Sequence, residues 1–211
     1  EVDESMVSVI YLGVDVDTGE NNSSSEKMGE KPFLLYVSAA RPGYKNFAAV
    51  LRAVSFSPIL QKDFNIYVFG GEKFSTAERI LMQDLGYVGG QVLHFGGDDI
   101  VLKDLYHRAH AFVHPALLEG FGLTALEAMA HSCPVISSNS SVMPEILGNA
   151  AEYFDPTDID DVRRAIEQVA YMTEVRNDLI EKGKERVQRF TWSRCADETR
   201  RVYKEITGVS V

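Results

Sequence analysis

Two glutamates, Glu119 and Glu127, stand on either side of a Gly-Phe-Gly turn in a stretch that otherwise reads as buried core. Ionised carboxylates accept hydrogen bonds, often two at once, and the vicinal hydroxyls of a ribose or a hexose are suitable donors. Gly120 and Gly122 precede a helix predicted to begin near Leu123. Glycine allows a ligand to approach the backbone, and a helix N terminus favours an anion. The pattern therefore indicates a central phosphate with a polyol on each side, which is the layout of a nucleotide-sugar.

The alternative is that these glutamates are ordinary solvent-exposed residues without a ligand. Loop glutamates are usually solvated, and a glutamate on a helix often pairs with a lysine. Glu127, however, is surrounded by the small or apolar residues of 125–130, so its helix has little polar face on which to place it. We therefore favour a binding role for the pair.

Two cations follow the first long predicted strand. Arg41 and Lys45 lie within SAARPGYKNF, on a loop that enters a helix. An arginine fork with a lysine point charge is a common way to neutralise a diphosphate. Two solvated surface cations are the alternative, and the position directly after a strand favours the phosphate interpretation.

A glycine pair follows another strand. Gly96 and Gly97, with Asp98 after them, belong to HFGGDD, and such a loop can present backbone groups to a flat base or simply form a turn. His114 also follows a strand, where it could line a cleft, although a structural histidine is the commoner case. The histidines and the two cysteines, Cys133 and Cys195, show no metal-binding spacing, so we predict no metal and no cofactor.

Alternating strand and helix patterns must position these residues. Apolar runs predict strands at 7–15, 32–38, 65–70, 91–96, 111–115, 134–138 and 150–155. Helical patterns occupy 46–59, 75–85, 101–109, 123–131, 143–147, 159–172, 174–190 and 192–207. This alternation predicts an α/β fold with a doubly wound, mostly parallel Rossmann-like sheet, helices on both faces and helices at the C-terminal end. Ligands of such sheets bind at the carboxyl ends of the strands, where the candidate residues lie.

Composition limits the class of protein. The 211 residues are 45% hydrophobic with a net charge of −10, which argues against broad nucleic-acid binding. No apolar run approaches the roughly 20 residues that span a bilayer. We expect a cytoplasmic protein without a transmembrane segment, divided into an interdomain strand with a flexible loop at 1–31 and a ligand-binding domain at 32–211.

The stretch LLEGFGLTALEAMAHSCPVISSNSSVMPEILGNAAEYFDP resembles the donor-binding region of family 4 (group 1) retaining glycosyltransferases of the GT-B fold. Their paired glutamates, separated by seven residues, match Glu119 and Glu127. YVSAARPGYKNF resembles the phosphate loop of the family, although the loop before Arg41 is one residue longer, so Lys45 is the better match. The resemblance covers the C-terminal half of such an enzyme and implies a metal-independent hexosyltransferase.

The resemblance also implies roles. Glu119 would hold the hydroxyls of the donor sugar and Glu127 the ribose. The remaining positions fall into a diphosphate set and a base set: Arg41, Lys45, Gly120, Phe121, Gly122 and Leu123 for the diphosphate, and Gly96, Gly97 and Asp98 for the base. The acceptor would bind a missing N-terminal domain, without which transfer is not expected, and the parent protein could associate peripherally with a membrane.

Two other functions fit the same residues. A sugar-nucleotide epimerase shares the architecture but typically lacks this glutamate pair, and a non-catalytic nucleotide-sugar-binding module would carry the same binding groups. The base (UDP, GDP or ADP), the sugar, the acceptor and the oligomeric state are not encoded in a readable pattern.

Overall fold

A computed structural model describes Asp3, residues 6–16, Gly29, and residues 31–41 and 43–208. Its sheet has six strands, one for each strand that the sequence predicts after residue 31. They are β1 (Phe33–Val37), β2 (Asn65–Phe69), β3 (Val92–Phe95), β4 (Ala111–His114), β5 (Val135–Ser138) and β6 (Ala151–Phe154). Every strand pair is parallel, and the spatial order is β3-β2-β1-β4-β5-β6. The doubly wound Rossmann-like prediction is therefore confirmed. The winding reverses between β1 and β4, and ligands of such sheets bind outside that switch point.

The helices lie close to their predicted positions: α1 (Phe47–Ser55), α2 (Pro58–Asp63), α3 (Thr76–Asp84), α4 (Asp99–Arg108), α5 (Leu123–Ala130), α6 (Met143–Leu147), α7 (Ile159–Tyr171), α8 (Thr173–Val187) and α9 (Trp192–Thr207). The prediction of a single helix at 46–59 is wrong, because the helix is interrupted after α1 and α2 begins as a separate helix. Ser57 caps α2 by accepting from the Leu60 N–H, and Pro58, which lacks an N–H, begins it.

The sheet is covered on both faces. In β1, Phe33 and Leu35 face a core with α4, α5 and the end of α8, while Leu34 and Tyr36 face a core with α1, α2 and α7. Successive side chains of a strand point to opposite faces, so a strand buried on both sides is apolar at nearly every position. This burial explains the continuous apolar runs of the sequence.

The predicted strand at 7–15 is wrong. Residues 7–16 form neither strand nor helix and lie against the junction between α8 and α9. The Val14 N–H donates to the Phe190 carbonyl over 2.9 Å, and Gly13 packs so tightly that an added Cβ would lie 2.2 Å from the Trp192 nitrogen. A helical junction offers no ladder of backbone groups, so no strand forms there. Of the predicted loop at 18–31, only Gly29 and Lys31 lie within the described residues, and the division at 31/32 stays a prediction.

Candidate functional site

The switch point brings together the loops that follow β1 and β4. The first loop passes through a 3-10 turn at Gly43–Lys45, and the second carries Glu119. The Leu117 N–H donates to the Tyr44 carbonyl over 2.8 Å, which ties the two loops at their backbones. Residues 74 positions apart in the chain therefore meet at one edge of the sheet.

Asn46 fixes the end of the first loop. It has a left-handed φ of 55°, which asparagine tolerates better than most residues. Its side-chain amide donates to the Pro115 carbonyl at 3.2 Å and to the Pro156 carbonyl at 2.9 Å. Asn46 thus joins the loops after β1, β4 and β6 and sets the position of Lys45 beside it.

Glu119 lies between two basic side chains. The Lys45 Nζ donates to Glu119 Oε2 over 2.7 Å, and His114 Nε2 lies 3.4 Å from the same oxygen. The His114 imidazole and then the Lys45 ammonium lower the pKa of Glu119 to about 2, although partial burial acts in the opposite direction. The carboxylate is therefore ionised at neutral pH. His114, at the end of β4, is only 5% exposed at its side chain.

A cavity of about 360 Å³ opens beside this cluster, which we call the Glu119 cavity. Its wall includes Lys45, His114 and the start of α5. Gly122, the N-cap of α5, has a φ of 94°, which favours glycine, and a Cβ there would crowd Met143 Sδ at 3.0 Å. No side chain caps this helix, and Gly122, Leu123 and Thr124 at its start line the cavity. An uncapped helix N terminus favours an anion.

The rest of the Gly-Phe-Gly turn holds Glu119 in place. The Gly120 N–H donates to Glu119 Oε1 at 3.2 Å, and the Ser141 hydroxyl donates to the Glu119 carbonyl at 2.8 Å. Phe121 lines the cavity and packs against Tyr11, with ring centroids 6.0 Å apart. The loop is thereby anchored to the N-terminal segment as well as to the residues before α6.

Glu127 occupies a second cavity, of about 190 Å³, which we call the Glu127 cavity. The Tyr106 hydroxyl donates to Glu127 Oε2 at 3.3 Å. Burial raises the pKa of Glu127, and the nearby Asp99 carboxylate adds to this effect, while the hydrogen bond from Tyr106 opposes it. Trp192, from the start of α9, forms part of the wall. This carboxylate thus has a neutral hydroxyl as its partner, where Glu119 has a lysine and a histidine.

Leu123 lines both cavities, so the two glutamates flank the N-terminal turn of α5. The arrangement provides a carboxylate, a turn of free N–H groups and a second carboxylate in succession. It has the layout expected for a polyol, a phosphate and another polyol, and the roles of the individual residues stay predictions.

Arg41 and Lys45 line different, neighbouring cavities, and the expectation that the two share one ligand stays a prediction. The Arg41 Nε donates to Glu78 Oε1 at 2.6 Å, and its Nη2 donates to the Glu72 carbonyl at 2.6 Å. Glu78 is itself fixed by a capping box with Ser75 at the start of α3. Arg41 lines a separate, neighbouring cavity, and contact with phosphate would require it to leave Glu78. That contact stays a prediction.

The loop predicted to flank the base is also tightly constrained. Asp98 caps α4 by accepting from the Ile100 N–H at 3.0 Å. Gly97 has a φ of 151°, and a Cβ there would lie 2.8 Å from Val101 Cγ2. Gly96 and these two residues are outside the described walls of both cavities, beside Asp99, which lines the Glu127 cavity. Their contact with a base stays a prediction.

Sequence reasoning undervalued His114 and missed three other contributions. The position of His114 at the carboxyl end of a strand was the available signal. Tyr106 gave no signal, because an aromatic residue on an amphipathic helix is typical of its buried face. Trp192 and the segment that contains Val14 line the Glu127 cavity from parts of the chain far from α5, which no local pattern could show.

A family model for glycosyl transferases group 1 matches residues 17–186. The chain belongs to this family. It is 30% identical over 175 residues to the O-antigen chain mannosyltransferase B of Escherichia coli, which covers 82% of this chain and 45% of that protein. It is 34% identical over 167 residues to the D-inositol 3-phosphate glycosyltransferase of Saccharomonospora viridis, covering 74% of this chain and 38% of the relative. The chain therefore spans less than half the length of these two glycosyltransferases.

Solved structures share the fold. A glycosyltransferase from Rickettsia africae superimposes with a TM-score of 0.83 at 21% identity, over 97% of this chain and 58% of that one. The predicted family and its Rossmann-like architecture are confirmed. None of the helices in the described ranges combines the length and hydropathy needed to cross a bilayer. Among the same residues, no group of three histidine, cysteine or acidic side chains could hold a metal ion.

Proposed function

We propose that this chain is the donor-binding domain of a retaining glycosyltransferase that transfers a hexose from a nucleoside-diphosphate hexose, without a metal ion. The pair formed by Lys45 and Glu119 at the switch point carries the proposal. An ammonium, which suits phosphate, and a carboxylate, which suits hydroxyls, lie together at the edge of the sheet where ligands of such folds bind. The family match supports the reaction class.

The diphosphate is assigned to Lys45 and the N-terminal turn of α5. Breaking the bond between the sugar and the diphosphate leaves negative charge on the departing phosphate oxygen. Once the donor is bound, the Lys45 ammonium and the helix N terminus stabilise that charge. Lys45 exchanges Glu119 for the phosphate as the donor enters.

The two polyols are assigned to the two glutamates. Glu119, released from Lys45, accepts hydrogen bonds from the hydroxyls of the donor sugar, and Glu127 accepts them from the ribose. The sugar then develops positive character at its anomeric carbon. An acceptor held by a second domain, outside this chain, attacks from the face that the diphosphate leaves.

Release of a nucleoside diphosphate by the full-length protein tests this proposal. The names of the mannosyltransferase relatives make GDP-mannose the first donor to try, followed by UDP- and ADP-hexoses. We expect release that depends on an acceptor, and a product with the anomeric configuration of the donor.

Lys45→Ala should lower nucleoside diphosphate affinity roughly tenfold. Lys182→Ala, which removes an exposed lysine paired with Asp178 on α8, is the matched control and should change nothing. Binding without release would favour a non-catalytic module.

A further inference from the structure

The backbone of Glu119 is held by a side chain that is separate from the partners of its carboxylate. The Glu119 N–H donates to the Ser141 hydroxyl at 3.4 Å, and the same hydroxyl donates to the Glu119 carbonyl at 2.8 Å. One serine of the loop after β5 thus bonds both backbone groups of a residue 22 positions earlier, an arrangement that we call the backbone clamp. Ser141 is outside the described walls of both cavities, so it acts through Glu119.

Ser141 holds this position in a strained backbone conformation. Its φ of 58° is left-handed, which is uncommon for a residue with a side chain and unstrained for glycine. Glycine would relieve the strain, but it has no hydroxyl for Glu119. A strained residue beside a candidate site points to a role for its side chain.

The loop that carries Ser141 is fixed to the sheet. The buried Ser138 hydroxyl, at the end of β5, donates to the carbonyl of buried Ala116 at 2.7 Å. The Asn139 N–H donates to the Phe154 carbonyl of β6 at 2.9 Å. The helix α6 begins two residues after Ser141. The backbone clamp therefore connects Glu119 to a rigid part of the fold.

We propose that Ser141 is a positioning residue for the sugar of the donor: it holds the backbone of Glu119 while the carboxylate exchanges Lys45 for the sugar hydroxyls. This inference rests on the proposed function, which assigns the sugar to Glu119. The carboxylate changes partners as the donor enters, whereas the backbone clamp stays closed. With its backbone fixed, Glu119 has only its side-chain torsions to order, which lowers the entropic cost of binding the sugar.

The sugar half of the ligand should therefore depend on Ser141, and the nucleotide half should not. The diphosphate is assigned to Lys45 and to the start of α5, and the ribose to Glu127. The hydrogen bonds of Lys45 and Glu127 go to Glu119 and to Tyr106, so neither residue relies on the Ser141 hydroxyl.

Calorimetric titration of the full-length protein with GDP-mannose and GDP, and with UDP-glucose and UDP, measures the contribution of the sugar as the ratio of the two affinities. Ser141→Ala and Ser141→Gly both remove the hydroxyl, but the first keeps the backbone strain and the second relieves it. We expect both variants to lower the ratio by about two- to tenfold, the range for a neutral hydrogen bond. The affinity for the free nucleotide should stay unchanged.

Ser132→Gly is the matched control. Ser132 also has a φ of 58° and is outside the described walls of both cavities, so this variant relieves the same strain and should leave the ratio unchanged. If none of the probes binds to the wild type, the proposed function fails. If a pair of probes binds, three results would overturn the role of Ser141 alone: an unchanged ratio in Ser141→Ala, equal losses for donor and free nucleotide, or a lowered ratio in Ser141→Gly only.

Discussion

Glu119 and Glu127 flank the same helix start, but the protein gives them opposite electrostatic environments. Glu119 contacts a lysine and a histidine, and its pKa is lowered to about 2. Glu127 contacts a tyrosine hydroxyl, and burial raises its pKa. The comparison shows that one residue type, used twice within a single motif, can form an exchangeable ion pair at one position and a partly desolvated hydrogen-bond acceptor at the other.

The difference has a functional consequence. An ion pair must be broken before Glu119 can accept a ligand hydroxyl fully, so binding there is coupled to the arrival of phosphate at Lys45. The described hydrogen-bond partner of Glu127 is the neutral hydroxyl of Tyr106, so Glu127 can accept from a diol as the nucleotide enters. We therefore expect the nucleotide half of a donor to bind first and the sugar to be fixed afterwards.

The largest effect is expected from Glu119→Gln. A carboxylate–hydroxyl contact contributes roughly 1.5–3 kcal/mol, so the affinity for a nucleoside-diphosphate hexose should fall about ten- to a hundred-fold. The affinity for the free nucleoside diphosphate should stay constant or increase, because Lys45 no longer has a competing anion. Calorimetric titration with both ligands measures the two changes.

Equal losses for both ligands would place Glu119 on the nucleotide and contradict the assignment. Glu152→Gln is a suitable control, since Glu152 on β6 is also paired, with Arg164 at 2.6 Å, and lies outside both described cavity walls. It should leave both affinities unchanged.

A smaller and more uniform effect is expected from Glu127→Gln. Both the free nucleotide and the nucleotide-sugar contain the ribose, so their affinities should fall together, by about tenfold. The amide keeps an oxygen for the Tyr106 hydroxyl, so the fold should be retained. A loss confined to the sugar-bearing ligand would reverse the proposed division between the two glutamates.

The comparison also shows what the sequence could predict. The strands from β1 to β6 and the nearness of Lys45 to Glu119 follow from apolar runs and from the rule that loops after parallel strands share an edge. The pairing of Arg41 with Glu78 did not follow, because Glu78 lies 37 positions away on α3. The environment of Glu127 depends on Tyr106 and on Trp192, which reach it only through tertiary packing.

Asn46 offers a way to disturb one glutamate without touching the other. Asn46→Ala removes two side-chain hydrogen bonds and places alanine in a left-handed conformation, which should lower stability by about 1–3 kcal/mol. Donor affinity should also fall several-fold as Lys45 loses its position relative to Glu119. Asn46→Gly keeps the backbone conformation and loses only the bonds, so its backbone strain should be absent. Urea unfolding and calorimetry measure both effects, and unchanged donor affinity in a folded Asn46→Ala would show that Asn46 serves the fold alone.

The smallest effect should appear in the pH dependence of stability, to which the two glutamates should contribute with opposite sign. The folded pKa of Glu119, about 2, lies below its unfolded value, so its contribution is present above about pH 4.3 and is lost as pH falls toward 2. The folded pKa of Glu127 lies above its unfolded value, so the wild type gains stability relative to Glu127→Gln as pH falls through that pKa. On acidification from about pH 7 to pH 3.5, the wild type should therefore lose part of its advantage over Glu119→Gln and improve against Glu127→Gln. Urea unfolding of the three proteins across this range measures the two differences, in which the contributions of all other carboxylates cancel. Two differences that change in the same direction would mean that the environments are alike, and the comparison would lose its electrostatic basis.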